Sequence, residues 1–171
     1  MYCEANIVPT QQLYGGKVAA ALSRQHPRDI FDVRYMDISL SDIKNGLLFC
    51  LLGSDRPIHE SLAPHLIDQR RVMETQFEGM TKVPFSYKDY EETRNELVKQ
   101  LSHLFSNNEK RFLISFKEGV PDWELLDPAC ANFEEYPSIQ WKLLNIRKLR
   151  EDNPNRLKEQ LFKLKQAVQL D

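Results

Sequence analysis

The chain reads as a mainly α protein, a multi-helix orthogonal bundle with one short amino-terminal extended segment. Two observations predict it. Apolar residues recur at the three- and four-residue spacing of a buried helix face in one stretch after another. Prolines and short polar runs cut those stretches into pieces joined by short loops, which favours crossing helices over a long coiled coil. The expected organisation is an orphan extended segment over residues 1–10 and a helical domain over residues 11–171.

The opening segment contains "EANIV", a strand-like piece with no hairpin partner nearby, as if the chain began in the middle of a sheet. Helical spacing starts at Thr10, a candidate cap after Pro9, with Leu13, Gly16, Lys17, Ala20 and Arg24 on one side. Pro27 stops that helix and can open the next, because its fixed φ and missing N–H are tolerated in a first turn. The second helix, about Arg28 to Met36, turns Ile30, Phe31, Val33 and Tyr35 inward.

Ser39 or Ser41 can cap a third helix through "IKNGLLFCLLG", apolar on nearly every side and therefore central. "SDRPIHESLAPH" is a proline-broken connection, followed by a helix from about Leu66 to Gln76. "SYKDYEETRNELVKQLSHLF" is a long amphipathic helix whose buried stripe is Tyr90, Leu97, Leu101 and Leu104 or Phe105. "NNEKRFLISFKEG" reads as a helix with Phe112, Ile114 or Ser115, and Phe116 inward, although so short a run is also compatible with a strand. Two terminal helices begin at Pro137 and Pro154, and Trp141, Leu144 and Phe162 are expected in their core.

Bulk composition narrows the function. Hydrophobic content of 42% with 28% charged residues fits a globular domain, and the net charge of −2 gives no general attraction to nucleic acid. Cys3, Cys50 and Cys130 are odd in number and widely separated, which argues against a disulfide framework or zinc site and for a reducing cytoplasm. The amino terminus lacks the basic and apolar regions of a secretory leader. The longest apolar run, "GLLFCLLG", falls far short of the roughly 20 residues needed to cross a bilayer, so no membrane partner is expected.

The unusual stretch is "LYGGKVAAALSRQHPRDIFDVRYM". Lys17 and Arg24 lie two helical turns apart with small residues between them, a face open enough to admit a polyphosphate. Beyond the His26-Pro27 corner come Arg28, Asp29 and Asp32. Lysine supplies a point charge for phosphate, and Asp32 can orient that lysine or assist proton transfer. The same residues also have a structural reading: small residues for close helix packing, and arginine with aspartate in an ion-pair network at the corner. The functional reading expects Lys17, Arg24 and Asp32 to converge on one polar cleft.

This stretch resembles a motif of the AbiEii/AbiGii nucleotidyltransferase family, the toxin half of bacterial abortive-infection toxin–antitoxin pairs. The motif sets a lysine on a small-residue helix, an arginine about two turns later, then Arg-Asp and a second aspartate three residues on. Lys17, Arg24, Arg28, Asp29 and Asp32 match it position by position. "PSIQWKLLNIRKLR" is similar to the carboxy-terminal Trp-Lys-Leu-x-Asn-Ile region of members of the group.

The resemblance implies a nucleotidyltransferase of which this chain is the helical portion. Lys17 and Asp32 would be catalytic, Lys17, Arg24 and Arg28 would bind nucleotide, and Asp29 would support them. It implies Mg²⁺ and a nucleoside triphosphate, held mainly by Gly-Ser and Asp-x-Asp of an upstream α/β core of which residues 1–10 would be a remnant. That core would be the first partner, with a cognate antitoxin and a tRNA or protein acceptor as others. Here Gly53-Ser54 follows the lysine motif and no Asp-x-Asp comes after it, so the chain alone is expected to be inactive. The alternative is a non-catalytic interaction module that binds nucleotide, antitoxin or tRNA.

Other candidates are weaker. Asp89 and Glu91, like Asp122 and Glu124, have a spacing that points carboxylates apart on a helix. His26, His59, His65 and His103 have no metal-ligand spacing. The basic residues from Lys142 to Lys165 alternate with leucines as the solvent faces of amphipathic helices do, or as a tRNA-binding strip would.

Overall fold

The computed structural model describes Glu4 and residues 7–170, and among these every regular element is helical. Glu4 and residues 7–9 have no regular secondary structure, and the rest of the expected "EANIV" strand lies outside the described residues. Helix α1 (Thr10–Arg24) begins directly after Pro9, so Thr10 is its first residue and not its cap. It meets α2 (Pro27–Arg34) at a sharp corner. Helix α3 (Lys44–Gly53) is the central rod, with Leu47, Leu48, Leu51 and Leu52 buried.

The α1–α3 contact is the closest in the bundle, and two glycines permit it. A Cβ on Gly46 would overlap the Gln11 carbonyl, and one on Gly15 would overlap the Gly46 and Leu47 backbone. Side chains at these positions would force the helices apart, as overpacking does in any dense core. Gly16, by contrast, faces only the Cys50 sulfur at van der Waals range. The close-packing role of the small residues thus belongs chiefly to Gly15.

Short helix α4 (Ile58–Leu62) lies within the expected proline-broken connection. Of the helix expected from Leu66, only α5 (Arg70–Val72) and a π-helical turn, Met73–Phe77, form. Residues 65–69 stay outside the helix because their backbone is used elsewhere: the His65 and Ile67 carbonyls accept bonds from Gln25 and Arg94, and the Ile67 N–H donates to Gln25. Neither serine caps α3; Ser39 instead bonds Asp42 in the preceding turn.

Helices α6 (Tyr87–Leu104) and α7 (Asn107–Glu118) each start with a capping box, Ser86 with Asp89 and Ser106 with Glu109. Helix α7 ends at Gly119, whose φ of 83° satisfies the left-handed close that glycine adopts without a Cβ penalty. Residues Asn107–Glu118 form one continuous helix, which resolves the helix-or-strand ambiguity, and Phe112 and Phe116 are fully buried on it. Three single-turn helices, Trp123–Leu125, Pro128–Cys130 and Phe133–Glu135, lead into α8 (Pro137–Asp152) and α9 (Pro154–Val168).

Three expected core residues lie outside. Trp141, Leu144 and Phe162 are 66%, 57% and 62% exposed. The buried stripe of α8 runs through Ile139, Leu143 and Ile146, and that of α9 through Leu157, Leu164 and Val168. Those stripes leave the aromatic positions on the outer faces. Tyr35, also expected inward, is 47% exposed because α2 ends at Arg34. No described helix is long and apolar enough to cross a membrane.

Candidate functional site

The α1–α2 corner carries two ion pairs arranged as rungs of a ladder. Lys17 Nζ lies 2.6 Å from Asp32 Oδ2. Arg24 approaches both oxygens of Asp29 at 3.0 Å, with Nη2 donating to Oδ1 and Nε facing Oδ2. The chain reverses between α1 and α2, so the lysine farther from the corner meets the aspartate farther from it. The two spacings differ, seven residues on α1 against three on α2, and the long lysine and arginine side chains span the difference.

The rungs differ in solvent exposure. The Lys17 and Asp32 side chains are 42% and 37% exposed, whereas Asp29 is only 11% exposed beneath a largely solvated Arg24. Asp29 also sits in the first turn of α2, where the helix N-terminus favours negative charge. The Arg24–Asp29 rung therefore fastens the corner. The Lys17–Asp32 rung sits in water, where an ion pair contributes no more than about 1 kcal/mol.

The expected single cleft is thus two neighbouring features. A shallow cleft of about 330 Å³ is lined by Arg24, His26, Arg28, Asp29, Gln76 and Met80. Lys17 and Asp32 lie outside its lining, engaged with each other. Ion pairing across the helices satisfies Lys17 locally.

What holds the corner is a set of residues whose role the sequence pattern concealed. Gln25 closes α1 in a left-handed conformation (φ 50°), its N–H donating to the Ala21 carbonyl, and it is buried. Its side chain donates to the His65 carbonyl at 2.6 Å and accepts from the Ile67 N–H at 3.2 Å. Three successive carbonyls at the end of α1 are taken by side chains: Ser23 by Arg56, Arg24 by Gln69 and Gln25 by the Tyr90 hydroxyl. A helix end would otherwise leave such acceptors unmatched.

Arg94 completes the network. It is buried on the α6 stripe between Tyr90 and Leu97, donates to the Ile67 carbonyl at 2.7 Å, and lies over the Tyr90 ring. Burial pushes the Tyr90 phenol above its usual range, with Arg94 pulling the other way. Beyond the corner, His26 caps α2 by accepting the Arg28 N–H at Nδ1. The corner is consequently fixed from both sides, and the ion-pair ladder inherits that rigidity.

Among the described residues no group of three or more His, Cys, Asp or Glu side chains converges as a metal cage. Compared with protein-family models, curated proteins and solved structures, the chain has no match.

Proposed function

We propose that this chain is the helical portion of an AbiEii-like nucleotidyltransferase toxin, and that Lys17 and Asp32 are its contribution to transfer from a nucleoside triphosphate. The observation that carries the reading is the 2.6 Å Lys17–Asp32 contact across the α1–α2 corner. It joins two residues that the family motif matches, in a half-solvated position where the pair contributes little to stability. Arg94, Gln25 and Tyr90 hold the backbone beneath it in one geometry, as a catalytic pair requires.

In this reading Asp32 holds the lysine ammonium in place, and Lys17 meets the phosphate oxygens as charge shifts onto them. Arg24 and Arg28 present guanidinium groups on the neighbouring cleft to the rest of an anionic substrate. A Gly-Ser and Asp-x-Asp core completes the enzyme, an antitoxin restrains it, and a tRNA or protein acceptor receives the nucleotidyl group.

The test supplies that core, fused ahead of Met1 or added as a separate chain, with Mg²⁺ and each of the four nucleoside triphosphates. Labelled nucleotide should reach an acceptor only when both parts are present. Lys17→Ala or Asp32→Ala should abolish transfer while leaving the melting transition in place. Robust transfer by the 171-residue chain alone, unaffected by either change, would sink the proposal.

A further inference from the structure

A second site lies between the α3–α4 connection and α8, far along the chain from the ladder. A pocket of about 610 Å³ opens there, within the size range of small-molecule sites. Its walls include Pro57, Pro137, Ile146 and Leu149, and the exposed indole of Trp141 stands at its edge. Two lysines, Lys117 from α7 and Lys142 from α8, also line it.

Among the described residues neither ammonium has a carboxylate within ion-pair distance, although Asp55 lines the same pocket. Lys142 Nζ donates to the Leu51 and Arg56 carbonyls, both at 2.8 Å, and Lys117 donates to Gln160 at 2.5 Å. One N–H of Lys142 and two of Lys117 are left over. The opposing carboxylates, Asp55 and Glu60, act only from a distance, while Lys117 repels Lys142 and Arg156 repels Lys117. Desolvated cations are ordinarily paired, so two lysines lining one cavity with a single carboxylate, Asp55, on its wall and no ion pair to it form an incomplete arrangement.

We propose that this pocket binds a small organic anion with a flat aromatic body: the anionic head meets the spare N–H groups of Lys117 and Lys142, and the ring lies against Trp141 and the proline wall. Such a ligand supplies the missing negative charge and covers exposed apolar surface in one step. Inorganic anions offer the charge without the ring, and neutral aromatics the ring without the charge. The proposal does not rest on the nucleotidyltransferase reading: Trp141 and Lys142 lie in the carboxy-terminal stretch that resembles the family, but none of the lining residues belongs to the Lys17–Asp32 and Arg24–Asp29 ladder.

The experiment is calorimetric titration of the 171-residue chain with 2-naphthalenesulfonate, 2-naphthol and sulfate. The sulfonate should bind at a single saturable site, about tenfold or more tighter than either 2-naphthol or sulfate. Lys142→Met and Lys117→Met should each weaken it by about tenfold, since each removes one charged donor. Trp141→Ala tests the ring contact at a surface position where folding is not at stake, and it should weaken the sulfonate by about fivefold or more. Equal affinity for sulfonate and naphthol, or a Trp141→Ala variant that binds as the wild type does, would overturn the proposal even if a lysine variant failed to fold.

Discussion

The α1–α2 corner and the α3–α8 pocket both place cations beside apolar helices, but they treat the charge in opposite ways. At the corner Lys17 and Arg24 each meet a carboxylate at 3.0 Å or less, and at least one member of each pair is substantially solvated. In the pocket two lysines are desolvated and, among the described residues, make no ion pair, although Asp55 lies on the same wall. Pairing in water fixes geometry at little energetic cost. Desolvation without pairing stores unfavourable energy that a proton loss or a bound anion can relieve.

The largest expected consequence is a pH dependence of stability. Burial, with Lys117 adding to it, pushes the Lys142 ammonium from 10.5 down to about 7. Between those values the unfolded chain holds one more proton than the folded one, so stability should rise as pH increases from about 7 to about 10. Below 7 both states are charged and the penalty is fully present. Wild type should gain on the order of 2–4 kcal/mol across that range, and Lys142→Met should lack that part of the gain. Chemical denaturation at several pH values reads the difference; a parallel rise in both proteins would place its origin elsewhere.

Next comes the buried rung of the ladder. Arg24→Ala leaves the Asp29 carboxylate 11% exposed with no cation on it, which should cost about 1–2 kcal/mol by denaturant unfolding. The outer rung should behave differently, and Lys17→Ala should cost less than about 1 kcal/mol. If the two substitutions cost the same, the division between a fastening rung and a solvated rung fails.

The smallest effect concerns Trp141. Its 66% exposure predicts that Trp141→Ala shifts stability by no more than about 0.5 kcal/mol in the absence of ligand. A loss of several kcal/mol would return the indole to the core.

What the sequence made legible, and what it hid, follows the same division. Helices α1 and α6 were readable from their apolar spacing, as at Tyr90, Leu97 and Leu101, whereas the shorter α7 run stayed open between helix and strand. The shared face of Lys17 and Arg24 was readable from helical pitch, and the His26-Pro27 corner suggested that α2 brings Asp32 back toward it. Arg94 was not, because a charged residue within an apolar stripe looks like an outward position until the Ile67 carbonyl and the Tyr90 ring are in place. Trp141 was misplaced because hydrophobicity named it for the core, whereas the stripe of α8 passes through Leu143 and draws Lys142 inward to the α3 carbonyls. The separation of the Arg24–Arg28 cleft from the Lys17–Asp32 pair depends on tertiary packing and has no sequence signal.

The most direct measurement is a double-mutant cycle on Lys17 and Asp32 in nucleotidyl transfer, with the Gly-Ser and Asp-x-Asp core supplied. Two residues acting as one unit lose most of their effect at the first substitution. Lys17→Ala and Asp32→Ala should each lower the transfer rate on the order of a hundredfold or more, with the double variant little worse than either. Full activity in either single variant, with the fold intact, would contradict the assignment of the chemistry to this pair.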